Sequence, residues 1–291
     1  MTERSGWLNA VLDCRLPMSP QPTTVEPQLQ RLTDVRAVVF DIYGTLLISG
    51  SGDVGSVDSK PHDQALQEAW TATKLPGPLP LQIADLHRRI ERINQQRKSV
   101  HCPKPEVDII EAWGQTLAAA GVDCPIQTVV QLACHYEARA NQTWPMPGAR
   151  DLIGQIRDAE IPLGIVSNAQ IFTVPLVTNL VDSPNLETAG FDLDLCIFSN
   201  RYRQAKPGPR LFDALCESLT RRQILPQQAV YVGNDMLNDV WAASQAGLRT
   251  AWFAGDQRSC RDRSDDPRCR SLRPDVVLTK LVQLLQCIEI E

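Results

Sequence analysis

No CxxC pair occurs among the nine cysteines of this chain, and their number is odd. That argues against a disulfide framework or a thiolate zinc site and fits scattered free thiols in a reducing compartment. No apolar run is long enough to span a bilayer. The first ten residues lack the basic-then-apolar pattern of a secretory signal, so the expectation is a cytoplasmic protein without a membrane partner. Positive charge is not in excess: the net charge is −5, which leaves no basic field to attract nucleic acid. There is no internal repeat, and the one biased tract is a charged loop at 256–273. Within it Cys260 and Cys269 are able to pair or to bind a metal, though two exposed thiols in a mobile loop is the simpler reading.

What is present is ordinary for a globular protein: 43% apolar and 22% charged residues over 291 positions. Residues 1–33 carry several prolines and little periodicity, and read as an extension. A strand is expected over 36–41 and a Gly/Ser/Asp-rich linker from Ile48 to Lys60. Helical spacing follows over 63–75, 80–99, 107–120 and 126–142, punctuated by Pro76, Pro78, Pro80, Pro103, Pro105 and Pro125. After Pro147-Gly148 strands and helices alternate: helix 149–158, strand 162–168, helix 173–181, strand 195–198, helix 208–220, strand 229–232, helix 237–246, and strands 249–253 and 276–278 with a last helix from Thr279. Such alternation predicts an α/β fold with a parallel sheet. The expected organisation is an extension (1–33), a core in two pieces (34–47 and 146–291) and an inserted four-helix unit (48–145).

Four polar clusters fall at or after strand ends, where open α/β sheets place their ligands. They are Asp41 with Thr45, Ser167 with Asn168, Lys206, and Asn234-Asp235 with Asp239. Asp41 follows Ala37-Val38-Val39-Phe40, and a carboxylate there can act as a nucleophile, hold a metal or cap a turn. Phosphoryl transfer needs an in-line nucleophile, charge neutralisation and a metal. Asp41 can attack, Ser167 and the amides after it can hold phosphoryl oxygens, and Lys206 can neutralise charge. The acids at 235–239, with Asp41, offer hard oxygen ligands for Mg²⁺. Thr45 orders the turn. Asn168 can hold substrate or a contact between insert and core. In the insert, His62, His101, Lys104, Glu106 and Asp108 are further polar candidates, read as solvated; Trp70, Trp113 and Trp144 read as packing residues of the insert.

These clusters resemble, in order, the four motifs of the haloacid dehalogenase (HAD) superfamily: Asp41-Ile42-Tyr43-Gly44-Thr45, Val166-Ser167-Asn168, Lys206-Pro207 and Gly233-Asn234-Asp235…Asp239. The resemblance implies a Rossmann-like core with a helical cap inserted after the first motif. It implies attack by Asp41, an aspartyl-phosphate intermediate and hydrolysis by water. It also implies Mg²⁺ held by Asp41, the backbone carbonyl of Tyr43 and an acid of the fourth motif, with the cap choosing a small phosphorylated metabolite. The implied assembly is a monomer or homodimer.

Two positions depart from the phosphatase pattern. Tyr43 stands where such phosphatases carry their acid–base aspartate, and a phenol of ordinary pKa near ~10 is a poor proton shuttle at neutral pH. Asn234 stands where the metal-binding aspartate directly follows the glycine. Either its amide oxygen ligates, or the loop shifts so that Asp235 does; Asp235 and Asp239 rank first as metal-associated residues, with Asn234 next. Tyr43 also resembles the Asp-x-Tyr-Gly-Thr motif of metal-independent 2-haloacid dehalogenases. Against that, Asp235 and Asp239 remain, Phe212 replaces the tyrosine of their third motif, and 62–75 holds no arginine. The expectation is a Mg²⁺-dependent phosphatase; the alternatives are a dehalogenase, or a binding or regulatory member of the fold with weakened catalysis.

Overall fold

A computed structural model describes residues 6–50 and 59–289. The elements run α1 (Gly6–Asp13), β1 (Ala37–Phe40), β2 (Leu47–Ser49), α2 (Ser59–Thr73), α3 (Ile83–Arg97), α4 (Ile109–Ala119), α5 (Ile126–Ala140), β3 (Thr143–Pro145), α6 (Ala149–Asp158), β4 (Leu163–Ser167), α7 (Thr173–Leu180), β5 (Phe191–Phe198), α8 (Ser199–Tyr202), α9 (Arg210–Arg221), β6 (Ala229–Gly233), α10 (Ala242–Gln245), β7 (Arg249–Phe253), β8 (Val276–Leu278) and α11 (Leu284–Cys287). The six-stranded sheet has the order β5-β4-β1-β6-β7-β8. Every neighbouring pair is parallel, so the fold is α/β with helices on both faces.

β1 explains the layering. Its residues are fully buried, and successive side chains point to opposite faces. Val38 and Phe40 join the core under α6, α7 and α11, with Leu152, Ile156, Leu176 and Leu284. Ala37 and Val39 join the opposite core with Leu211, Phe212, Leu215 and Ala243 of α9 and α10. Helices α2 to α5 make a core of their own around Leu66, Trp70, Ile83, Trp113 and Leu132. Helix α5 reaches into both, since its Cys134 packs with the main core. The insert is joined to the sheet by a two-stranded antiparallel ribbon, β2 with β3.

Several expectations change. The linker expected from Ile48 overlaps β2, because residues 47–49 pair with 143–145; its stretch 51–58 lies outside the described residues. The helix expected over 237–246 is split into a π-helical turn, Met236–Trp241, and the short α10. Trp144 packs onto the main core, not within the insert, with the Arg15 guanidinium 5.8 Å above its ring. Cys269 is buried against Met236 and Val240, and all nine cysteines are free thiols.

Residues 28–32 of the N-terminal extension are held by what they cover. Strand β8 would otherwise be an open edge, and an unpaired edge seeks a partner. Gln28 supplies it, exchanging both backbone hydrogen bonds with Val277 at 2.9 Å. Leu32 donates its N–H to the Cys287 carbonyl at 2.6 Å and buries its side chain. No helix among the described residues is long and apolar enough to cross a membrane.

Candidate active site

β1 delivers Asp41 to the carboxyl edge of the sheet, where its N–H donates to Val232 of β6 at 2.9 Å. The chain then turns tightly: Thr45 N–H and Leu47 N–H both donate to the Ile42 carbonyl. Gly44 makes the turn possible in two ways. Its φ is +82°, open to glycine, and a Cβ there would sit 2.6 Å from the Asn234 side-chain nitrogen.

Asp41, Ser167, Lys206 and Asp239 meet. Ser167 Oγ donates to Asp41 Oδ1 at 2.8 Å, and Lys206 Nζ donates to the same oxygen at 2.7 Å. Lys206 Nζ also reaches Asp239 Oδ1 at 2.5 Å. Burial works against the ammonium, but Asp239 and Asp41 outweigh it and hold its pKa above the ordinary value. Burial pushes the Asp239 carboxyl up, against the pull of Lys206. No donor among the described residues reaches Asp41 Oδ2, and 9% of the side chain stays accessible. A backed carboxylate with one unengaged oxygen is the arrangement a nucleophile needs.

Tyr231, which sequence reading missed, is the floor of this cluster. It sits inside the apolar run of β6, so its hydrophobic neighbours hid it. Its hydroxyl donates to the Val166 carbonyl at 2.7 Å and lies 2.9 Å from Lys206 Nζ and 3.1 Å from Asp239 Oδ1. Gly233 leaves the room that Asp239 needs, since a Cβ there would overlap its carboxylate. Asn168 does not face the Asp41 carboxylate: its Oδ1 accepts the Lys206 backbone N–H at 2.8 Å, tying the second cluster to the third.

The fourth cluster divides its tasks. Asp235 turns its carboxylate to the π-helical turn, accepting from Leu237 and Asn238 N–H at 2.8 and 3.0 Å. Arg263 closes on the same carboxylate at 2.6 Å. The ranking of Asp235 as a first metal-associated residue therefore does not match the geometry: a helix N-terminus and a guanidinium already satisfy it. Asn234 is the better placed. Its Nδ2 donates to the Ser259 carbonyl at 2.6 Å, which points Oδ1 at Thr45, whose hydroxyl donates to it at 3.1 Å. The loop carrying Ser259 and Arg263 straps this motif, with Met236 N–H on the Arg261 carbonyl and Trp252 Nε1 on the Asn234 carbonyl.

Tyr43 directs its phenol to Thr173, 3.0 Å away at the start of α7. Burial, then Glu137, hold its pKa above the ordinary phenol value. A proton held that firmly is unavailable for transfer at neutral pH.

Among the described residues no group of three or more His, Cys, Asp or Glu side chains is placed to hold a metal. Mg²⁺ asks for less, since one or two carboxylates with waters and substrate oxygens suffice. The fixed orientation of the Asn234 amide, oxygen toward the first-motif turn, fits such an ion. The residues that would hold it are Asp41, Asn234 and the Tyr43 backbone carbonyl. Asp239, ranked with Asp235 among the metal-associated residues, instead has Oδ1 on Lys206 and Tyr231 and Oδ2 on the Asp235 N–H.

The model of the haloacid dehalogenase-like hydrolases matches residues 35–247. The phosphoglycolate phosphatase of Escherichia coli (strain K12) is 28% identical over 228 residues, covering 75% of this chain and 81% of that protein. The phosphoglycolate phosphatase of Salmonella typhi is 25% identical over 227 residues with the same coverage. Among solved structures, the 2-haloacid dehalogenase of Pseudomonas syringae pv. Tomato DC3000 superposes with a TM-score of 0.57 at 22% identity, over 86% of this chain and 96% of that one. A predicted phosphoglycolate phosphatase from Haemophilus somnus 129pt superposes with a TM-score of 0.50 at 16% identity, over 88% and 98% of the two chains. These superpositions establish the shared fold.

Proposed function

The chain belongs to the haloacid dehalogenase-like hydrolases, and from that premise we propose that it hydrolyses a small phosphorylated metabolite through an aspartyl-phosphate on Asp41. The observation that carries this reading is the Asp41 carboxylate, with Oδ1 gripped by Ser167 and Lys206 and Oδ2 left to attack. The phosphoglycolate phosphatase relatives support phosphorus as the electrophile.

Asp41 Oδ2 attacks phosphorus in line; the new Asp41–O–P bond forms as the ester P–O bond breaks. Lys206 and Ser167 keep Oδ1 from competing and set the carboxylate's angle. Water then attacks the phosphorus and returns Asp41 as a carboxylate with release of phosphate. Bound Mg²⁺ would supply charge neutralisation on the transferring oxygens. With Tyr43 tied to Thr173, the first step lacks the proton donor that general acid catalysis provides, an effect typically worth ~10²–10⁴-fold. Turnover should therefore favour substrates whose leaving group departs without a proton. The helices of 48–145 act in this reading as the cap that excludes water. The nine free thiols support a reducing, cytoplasmic setting, and the protein acts as a monomer or homodimer.

A second reading, hydrolysis of a 2-haloacid without metal, draws on Tyr43 and Asn234: halide leaves without a proton, and the fourth motif offers one carboxylate fewer. The deciding experiment is release of product from p-nitrophenyl phosphate and from 2-chloropropionate, each with Mg²⁺ and with EDTA. Phosphate release that EDTA abolishes, and that Asp41→Asn removes without changing the circular dichroism spectrum, is the expected result. Chloride release that survives EDTA selects the second reading. Silence toward both substrates, with Mg²⁺ and a phosphate analogue still bound, selects a binding member of the fold.

A further inference from the structure

We propose that Glu106, on the loop between α3 and α4 of the helical insert, is a positioning residue that holds the Ser167–Asn168 and Lys206 loops in register with Asp41. The inference rests on Asp41 being the centre of the reaction. It is carried by an unbroken relay. Glu106 Oε2 accepts from Ser199 Oγ at 2.9 Å, and the same Ser199 Oγ accepts the Ala169 N–H at 2.9 Å. Ala169 follows Asn168, whose Oδ1 takes the Lys206 N–H at 2.8 Å. The insert thus reaches the lysine through Ser199, Ala169 and Asn168, the first two of them buried.

The loop is also laced to the segment that leads into Lys206. Glu106 N–H donates to the Arg203 carbonyl at 3.1 Å, and Ala205 N–H donates to the Lys104 carbonyl at 2.8 Å, so the two segments pair antiparallel at Pro105 and Gln204. Gln204 is fully buried; it donates to the His101 carbonyl at 3.0 Å and accepts from Arg210 N–H at 3.0 Å. On the other side Gln170 brackets the insert, donating to the Val107 carbonyl and accepting from Ile109 N–H, each at 3.0 Å. Burial pushes the Glu106 carboxyl up, opposed by the hydrogen bonds from Ser199 and Val107. A buried acid costs stability unless its bonds return it. Here the carboxylate's bonds lead to the loop after Ser167, through Ser199, which takes the Ala169 N–H, and through Gln170, whose side-chain amide donates to Glu106 Oε1 at 3.4 Å. An ångström of misplacement at a reacting centre can cost ~10²-fold in rate.

The test is hydrogen–deuterium exchange on the full chain, with p-nitrophenyl phosphate kinetics in parallel, for the parent, Glu106→Ala and Glu106→Gln. Glu106→Ala should speed exchange in peptides spanning 166–170 and 203–206, leaving strands β6 and β7 unchanged. It should lower kcat at least about tenfold while KM moves less than about threefold, the split expected when a group acts on the transition state alone. Glu106→Gln keeps an oxygen that can accept from Ser199 and should recover most of both effects. Unchanged exchange in the two loops, or looser loops with kcat intact, overturns the proposal. A parent protein silent toward p-nitrophenyl phosphate counts against the hydrolase reading instead, and the exchange result then decides the positioning claim by itself. Should Glu106→Ala fail to fold, Ser199→Ala breaks the relay at its next member and carries the same outcomes.

Discussion

Asn234 and Asp235 are adjacent in the chain and face different partners, and that division is what a mutation can read. Asn234 points its amide oxygen at Thr45, while Asp235 caps a helical turn and meets Arg263. Asn234→Asp places a charge where the amide oxygen now sits, beside the Asp41 turn. We expect that variant to show a larger rise in melting temperature on adding Mg²⁺ than the parent does, because a carboxylate is the stronger hard-cation ligand. Asp235→Asn should leave the Mg²⁺ response as it is. Asp235→Ala should lower stability by about 1–2 kcal/mol, the worth of a helix cap and a partly exposed ion pair. A Mg²⁺ response lost in Asp235→Asn and unaltered in Asn234→Asp would reverse the assignment.

Among the elements, α5 packs on both the insert's core and the main core, and it carries a largely buried acid between them. Burial pushes Glu137 up from its usual 4.5 to about 7, with Asn141 pulling the other way through a hydrogen bond of 2.9 Å. The sign follows from proton counting. Between pH 4.5 and 7 the native state keeps a proton that the unfolded chain has released. Stability therefore falls as pH rises through that window. The loss reaches at most about 3 kcal/mol, since each tenfold change in proton affinity is worth about 1.4 kcal/mol. Glu137→Gln removes the charge and should flatten the curve. Urea unfolding midpoints of parent and variant at intervals from pH 4.5 to 7.5 measure it; parallel curves would show that Glu137 ionises as freely in the native state as in the unfolded chain.

For the whole molecule, the N-terminal arm is the piece whose removal tests the architecture. It pairs with the outer strand β8 through Gln28 and seals the end of the chain through Leu32. Leu32→Ala should cost about 2–5 kcal/mol, the range for truncating a buried leucine. Deleting residues 1–33 should lower the melting temperature further and shift the protein toward larger species on size exclusion, since β8 regains an open edge. A truncated chain as stable and as monodisperse as the parent would mean the arm only rests on the sheet.

Strand and helix order, the inserted helices and the four clusters were legible in the chain because each rests on local pattern: buried apolar runs ending in polar residues, and apolar residues recurring at helical spacing. β1, β7 and β8 lie where their apolar residues place them, and the order of the clusters by itself points to one sheet edge. What escaped depends on partners far apart in sequence. Tyr231 is an apolar-strand residue until Lys206 and Asp239 arrive beside its hydroxyl. Asp235 is a metal candidate until Arg263 reaches it from a loop that reads as solvated charge. Glu106 is a loop acid until Ser199 comes to it, 93 positions along the chain. The arm between 14 and 32 shows no periodicity because its order comes from the edge it covers. The chain alone determined which residue types stand at the strand ends, since hydrophobic burial forces that placement. Only the tertiary structure decided which oxygen of each side chain is engaged and which is left to react, because hydrogen bonds are short and directional and their partners are set by packing.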